Sequence, residues 1–325
     1  MTVSLSPRGT TFAKYVTALA LAKGIAADAE IIAESRFGGT VAAIAKAASV
    51  ATMEHGPAGG AFLDAANDFL VAVTDRSVLG RLRSAQSFPL HTRLLLPTSD
   101  GTAHWTREGE MMRATIVTFE QLQFEARRVA ALTVATEEML TQPQGEEPIR
   151  RALVRAVARA QDEAFLDPAG AGDELVPTAI TFGAPTVAAT GDGLADLKAL
   201  VATFEGNLDT AFLVMPPDAA VALYSDALPN IGARGGEAMG IPVITGAHVP
   251  TGMVALIDAE GIAFADGGLQ VKASRHAVID LANAEGEEPI PFSLWQNNSA
   301  AISASRVINW RVIRGGAVAY VTGVA

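Results

Sequence analysis

Between Arg93 and Arg128 apolar and polar residues alternate in a way that predicts a long β-hairpin leading toward a helix. The outgoing strand covers 91–96, and the turn cluster Pro97-Thr98-Ser99-Asp100-Gly101 follows it. A charged tip then reads His104-Trp105-Thr106-Arg107-Glu108-Gly109-Glu110. The return strand over 115–128 places Leu122, Phe124 and Ala126 on one side, with Gln121, Gln123, Glu125 and Arg127 on the other. At about 3.3 Å per residue such a strand spans roughly 46 Å, more than twice the usual length. A two-stranded ribbon of that reach is marginal alone and its open edges invite pairing. The pattern therefore predicts that neighbouring copies of the same chain cover it.

The rest of the chain mixes the two periods. Residues 8–55 are alanine-rich and helical, broken at Phe37-Gly38-Gly39-Thr40. Phe12, Tyr15, Val16, Leu19 and Ile25 keep helical spacing past Lys23. With the joint Gly56-Pro57-Ala58-Gly59-Gly60 behind it, this segment reads as a detachable helical arm. A short helix is expected over 62–73. The firmest helix is Glu146–Leu166: Pro148 suits its first turn, Glu146 and Glu147 suit its dipole, and Asp167-Pro168 ends it. Ile149, Leu153, Ala156, Ala160 and Ala164 are expected to line its inner face.

A Gly/Pro/Thr-rich connection over 169–191 comes next. Helices are expected over 194–205 and 216–227, and strands over 211–215, 241–245, 253–258 and 269–281. A long strand over 300–313 sets Ile302, Ala304, Ile308, Trp310 and Val312 against Ser303, Ser305, Asn309 and Arg311. Gly315-Gly316 turns it back into 317–322. The class is α+β.

Charge is uneven along the chain. From Asp167 onward 17 acidic residues face 7 basic ones, whereas residues 1–166 are nearly balanced, within a total of −11. That sign disfavours direct nucleic-acid readout but suits a container, which should not stick to phosphates. Without cysteine there is no disulfide, thiolate metal site or cysteine nucleophile. No stretch approaches a membrane span. The apolar run over 15–22, between Lys14 and Lys23, could pass for a signal-peptide core, but its spacing is better read as helix.

No catalytic pattern emerges: there is no Gly-x-Ser-x-Gly elbow, Walker loop or paired-histidine zinc motif. No cofactor or metal is expected. His55, His91, His104, His248 and His276 are scattered. Gly232-Ala233-Arg234-Gly235-Gly236 lacks the strand and Lys-Ser/Thr helix of a phosphate loop, and reads as surface loop. Asp192 and Asp196 could share a cation, but Asp192 reads more simply as a helix N-cap.

Two sets of residues remain as subunit-interface candidates. Arg151, Arg155 and Arg159 share one helix face at i, i+4 spacing, beside Arg150. Glu147 and Glu163 extend the row, so the plainer reading is a solvated ladder. The alternative is an inter-subunit salt-bridge row or a face turned toward enclosed nucleic acid. The second set is the hairpin tip, Trp105, Arg107, Glu108 and Glu110, where tryptophan among mixed charges has the character of an interface anchor. Its plainer reading is Trp105 folded back on its own domain.

In order, these parts resemble the major capsid proteins of tailed bacteriophages, whose fold is shared with encapsulin shells. The resemblance runs from about Gly60 to Gly323. It rests on Ala103-His104-Trp105-Thr106-Arg107-Glu108-Gly109 leading into 115–124, then 128–140 and the long helix ending Ala164-Phe165-Leu166-Asp167. Phe212-Leu213-Val214-Met215-Pro216-Pro217 and Met239-Gly240-Ile241-Pro242-Val243 come later. Phe292-Ser293-Leu294-Trp295-Gln296-Asn297-Asn298 precedes Arg306-Val307 and Asn309-Trp310.

The resemblance implies a helical arm or scaffold-like segment over 1–60 and the start of a peripheral domain over 61–86. An extended loop over 87–122, a peripheral domain with its spine helix over 123–190, an axial domain over 191–268 and return strands over 269–325 follow. It implies homo-pentamers and homo-hexamers that close as an icosahedral head, assembled in a bacterial host cytoplasm, around double-stranded DNA held without sequence readout. Portal, scaffold, protease or decoration proteins would be further partners; an encapsulin-like cargo shell and, distantly, an α/β enzyme are the alternatives. Some relatives remove an N-terminal segment by proteolysis. Others crosslink subunits through a lysine on the extended loop; here lysine occurs only at Lys14, Lys23, Lys46, Lys198 and Lys272, so no such chain-mail is expected.

Overall fold

The protein is seen as a computed structural model that describes residues 10–23, 25–49, 69–97, 102–109, 111, 113, 114, 116, 118–142, 146–281 and 290–324. The chain forms two compact units, both discontinuous. The first comprises Met1–Arg81, Arg128–Glu163 and Gly268–Val307; the second comprises Leu82–Arg127, Ala164–Gly267 and Ile308–Ala325. Their charges differ: the first holds 15 basic and 17 acidic residues, the second 9 and 18.

The first unit opens with three helices, α1 (Thr10–Leu21), α2 (Ala26–Phe37) and α3 (Gly39–Ser49). The expected break at Phe37-Gly38 is present, with Gly38 at φ 89°. The expected continuity past Lys23 is not. α1 stops at Leu21, Lys23 takes a left-handed φ of 58°, and Ile25 becomes the exposed N-cap of α2. Nor do these helices stand apart as an arm. Eight of the twelve α1 residues are buried. Phe12, Tyr15, Val16 and Ile44 share one core with Ile149, Leu153 and Val157 of the long helix and with Ala131, Ala135, Ala300, Ile302 and Ala304 of two strands. Each large side chain so enclosed contributes about 1.5–3 kcal/mol, and the strand alanines leave room for them. The strands, Arg128–Thr136 and Ser299–Val312, pair antiparallel from Ser299↔Thr136 to Val307↔Arg128.

The long helix has the expected bounds, Glu146–Leu166, but buries a different arc. Ala156 and Ala160 are exposed, while Val154, Val157, Ala158, Gln161 and Asp162 are buried. The inner face is thus turned toward two polar residues that an apolar stripe excludes. Gln161 earns its place by accepting from Arg306 Nη1 at 2.9 Å, and Asp162 accepts the Val78 N–H at 2.8 Å. Val78 opens the short helix Val78–Arg81. Burial pushes the Asp162 carboxyl up to about 7, against the pull of the Val78 N–H and the Arg81 charge.

The second unit is built on a seven-stranded mixed sheet in the order Thr186–Ala188, Val318–Thr322, Met253–Asp258, Ala211–Met215, Ile241–Thr245, Gly235–Ala238, Ile231–Gly232. Three strands lie where the pattern put them, Ala211–Met215, Ile241–Thr245 and Met253–Asp258. Leu197 and Leu200 of the helix Gly193–Thr203 pack with Leu213, Met215, Val254, Leu256 and Val321 as its core. Asp192 caps that helix by accepting from the N–H groups of Leu194 and Ala195, and Asp196 accepts from Thr190 N and Oγ1 at 2.8 and 2.6 Å. These bonds account for both carboxylates. Gly232–Gly235 is a tight turn between the edge strand Ile231–Gly232 and its neighbour Gly235–Ala238. The fully buried Asp258 carboxylate accepts from Thr210 Oγ1 at 2.7 Å and pairs with Arg314 at 3.0 Å.

Two expected strands are corrected. The strand expected over 269–281 starts earlier and breaks, giving Ile262–Ser274 and Val278–Leu281; at the break, Arg275 turns to Glu137 at 3.0 Å. The 115–128 return strand is likewise two strands, Phe119–Gln123 and Arg128–Thr136. Between them the backbone is taken by other partners. Asn309 Nδ2 donates to the Glu125 carbonyl at 2.8 Å, Ile308 N–H donates to the Arg127 carbonyl at 2.9 Å, and the Arg127 guanidinium donates to the Asp173 carbonyl. A ladder cannot pass through groups already bonded elsewhere.

Candidate assembly surfaces

The hairpin is real but its paired part is short. Arg93–Pro97 and Phe119–Gln123 pair antiparallel from Arg93↔Gln123 to Pro97↔Phe119, a reach of roughly 17 Å at 3.4 Å per residue. Its two faces differ as the alternation requires. Leu122 and Phe124 are buried and, with Leu94, pack on Ala263 and Ala265. Gln121 and Gln123 are exposed. The root of the ribbon is therefore fixed by a small apolar cluster of the second unit.

On and beyond the paired part the chain carries apolar residues that nothing among the described residues covers. Trp105 is fully exposed, and Leu95, Met111, Ile116 and Phe119 are exposed as well. Trp105 does not fold back onto its own domain. Arg107 and Glu108 are exposed beside it, while Glu110 lies outside the described residues. The sequence pattern missed Leu95, Met111, Ile116 and Phe119 as surface candidates. Leu95 and Phe119 had usable signals, Leu95 alternating with the half-buried Leu94 and Phe119 sharing a face with Gln121 and Gln123.

The arginine row belongs to the first unit and is mostly matched. Glu147 Oε1 accepts from Arg150 Nη2 and Arg151 Nε at 2.7 Å each, and Arg159 Nε reaches Glu163 at 2.7 Å. The hydrogen bond from Arg150 is the main reason the Glu147 carboxyl is held down to about 2, with Arg151 adding to it. Arg155 instead donates its Nε to the Arg151 carbonyl at 3.2 Å, and its exposed charge meets no carboxylate among the described residues. This is a solvated ladder with one unmatched rung. Exposed pairs of this kind contribute little to stability.

The second unit also has an open cleft of about 550 Å³ at the ribbon root, whose walls include Phe124, Arg127, Asp173, Phe182 and Trp310. Trp310 Nε1 donates to the Thr178 carbonyl at 3.0 Å, and its ring meets Phe165 edge-on at 5.3 Å. The N–H groups of Val176 and Leu175 hold the Asp173 carboxyl below its ordinary value. These contacts fix the walls of the cleft. Among the described residues no group of three or more His, Asp or Glu side chains gathers as a metal site.

The model of the phage capsid family matches residues 64–322. The chain belongs to the phage capsid family. The capsid polyprotein of Pseudomonas phage PAJU2 is 32% identical to this capsid-family chain over 366 residues and covers 99% of it. The chain in turn spans 55% of that relative's length. A chain from Microbacterium phage Oxtober96 superposes with a TM-score of 0.55 at 18% identity, covering 76% of this chain and 91% of its own. A chain of the capsid of a native GTA particle gives 0.53 at 17%, covering 77% and 91%. At such identities the likeness is one of fold, a mixed helix-and-sheet capsid fold. The family is structural, not enzymatic.

Proposed function

We propose that this chain is a major capsid protein, copies of which close as pentamers and hexamers into the icosahedral wall of a phage head. The observation that carries this reading is the run of exposed apolar residues Leu95, Trp105, Met111, Ile116 and Phe119 on and beyond a narrow ribbon. Apolar surface concentrated on one projecting element marks an interaction site, and copies of the same chain are the partner always at hand. Trp105 anchors the contact, with Arg107, Glu108 and Glu110 setting its charge pattern. Arg151, Arg155 and Arg159 are a secondary surface in which Arg155 has no carboxylate among the described residues. The peripheral region takes in the long helix, the axial region the seven-stranded sheet. Portal, scaffold, protease or decoration proteins complete the particle. Double-stranded DNA is enclosed rather than read, consistent with the net charge of −11.

The test is to express Trp105→Ala together with Glu108→Arg and compare particles by size exclusion and negative-stain microscopy. The expected result is soluble, folded subunits that no longer close into shells, since both residues are exposed and outside either core. Unchanged shell yield would remove the ribbon from assembly. Particles of the unaltered chain that carry protein and never DNA would shift the reading to a cargo compartment.

A further inference from the structure

Residues 10–49 precede the stretch matched by the family model, 64–322, yet they complete the core of the first unit. α1 is enclosed on nearly every side. The Phe12 ring lies 5.0 Å from that of Phe69. Val41 and Ile44 of α3 and Ala29 and Ala33 of α2 join the same cluster as Ile149, Leu153 and Val154 of the long helix. A polar clamp adds to this face. Arg36 of α2 donates to the carbonyls of Thr141 and Gln142 at 2.5 and 3.1 Å, at the end of the helix Glu137–Thr141, where carbonyls have no partner within the helix.

The covalent link from these helices to the rest of the unit is the stretch 50–68, which contains Gly56-Pro57-Ala58-Gly59-Gly60. Small residues of this kind are favoured where chains tolerate cutting. Loss of a segment returns to water whatever apolar surface it covered. Here Phe12, Val16 and Ile44 are about as buried as Ile149 and Leu153.

We infer that residues 10–49 are held by the apolar face of the first unit itself, so that after a cut within 50–68 they remain on the subunit as a separate polypeptide. The surface formed by Ile149, Leu153, Val154, Ala300 and Ile302 is then a binding surface, and its partner is the chain's own N-terminal piece. This goes beyond the shell reading and does not depend on it, since a solitary subunit would hold the piece equally well.

The experiment replaces Gly59-Gly60 in the full chain with the recognition sequence of a site-specific protease, cuts to completion, and runs the product on size exclusion at low concentration. The two pieces should co-elute in equal amounts and melt in one transition within a few degrees of the uncut chain. Elution of the small piece alone overturns the inference, whether the large piece stays soluble or precipitates. Phe12→Asp in the uncut chain gives a second readout by amide hydrogen exchange. Exchange should quicken by roughly tenfold or more across both 10–49 and 149–158, because the two surfaces protect each other. Unchanged exchange over 149–158 overturns it too.

Discussion

Phe12 and Trp105 are both large aromatic side chains on segments at the margin of the fold, and they have opposite surroundings. Phe12 is 1% exposed and Trp105 entirely so. α1 meets apolar surface on several sides, from Phe69, the long helix and the strand alanines. The ribbon is backed on one face only, through Leu94, Leu122 and Phe124. Its other apolar residues, Leu95 and Phe119, face outward, and Trp105, Met111 and Ile116 are likewise uncovered. The two regions spend apolar residues differently: one closes a core within a single chain, the other leaves an open face. Apolar surface that a folded chain leaves bare at one place marks an interaction site, and on the reading proposed above a further copy fills it.

The sharpest way to break this comparison is to truncate both aromatics and measure each isolated subunit by denaturant unfolding. Phe12→Ala should cost about 3–5 kcal/mol, and Trp105→Ala should stay within about 0.5 kcal/mol. Similar losses at both positions would mean that the ribbon is as much a part of the monomer as α1.

A second measurement probes the core that α1 helps to close. The Asp162 carboxyl is raised from 3.8 to about 7 by burial. The folded chain therefore keeps a proton that the unfolded chain has released, and stability falls as pH rises through that window, then levels off above it. Asp162→Asn can still accept from Val78 while removing the buried charge. It should stabilise the subunit at pH 8 by on the order of 3 kcal/mol and flatten the slope between pH 5 and 7. A variant that keeps the wild-type slope would place the titrating group elsewhere.

The smallest effect belongs to the arginine row. Glu147 has a lowered carboxyl, about 2, so its contribution is present above its ordinary value of 4.5 and is lost as pH falls through 2. The side chain is partly exposed, and Glu147→Gln should cost less than about 1 kcal/mol at neutral pH, with shell yield unchanged. A fall in yield at unaltered subunit stability would make the row a second assembly surface alongside the ribbon.

Much of this was legible in the residues. Pro148, the two glutamates before it and Asp167-Pro168 mark the ends of the long helix, because helix termini have chemical requirements that a short motif can meet. The central strands of the second unit are continuous apolar runs with clear limits. What failed depended on distant partners. Gln161 and Asp162 look like surface residues until Arg306 and Val78 are seen opposite them. The ladder through 124–127 looks unbroken until Asn309 and Asp173 claim its backbone and its arginine. For the candidate surfaces, the composition of the tip pointed to Trp105, but its lack of cover is a property of the whole fold. The N-terminal helices look detachable because their alanines advertise little, and only the facing strand alanines explain so tight a fit.

The division of the chain has a consequence for the order in which it is made. The first unit takes up its last piece, Gly268–Val307, only after the whole of Ala164–Gly267 has been made. Strand Arg128–Thr136 must wait for Ser299–Val307, its antiparallel neighbour. The ribbon waits too, since Leu122 and Phe124 at its root pack on Ala263 and Ala265, which are made much later. On the assembly reading proposed above, a growing chain carries the tip before its root is seated, so an early contact has no fixed geometry to propagate.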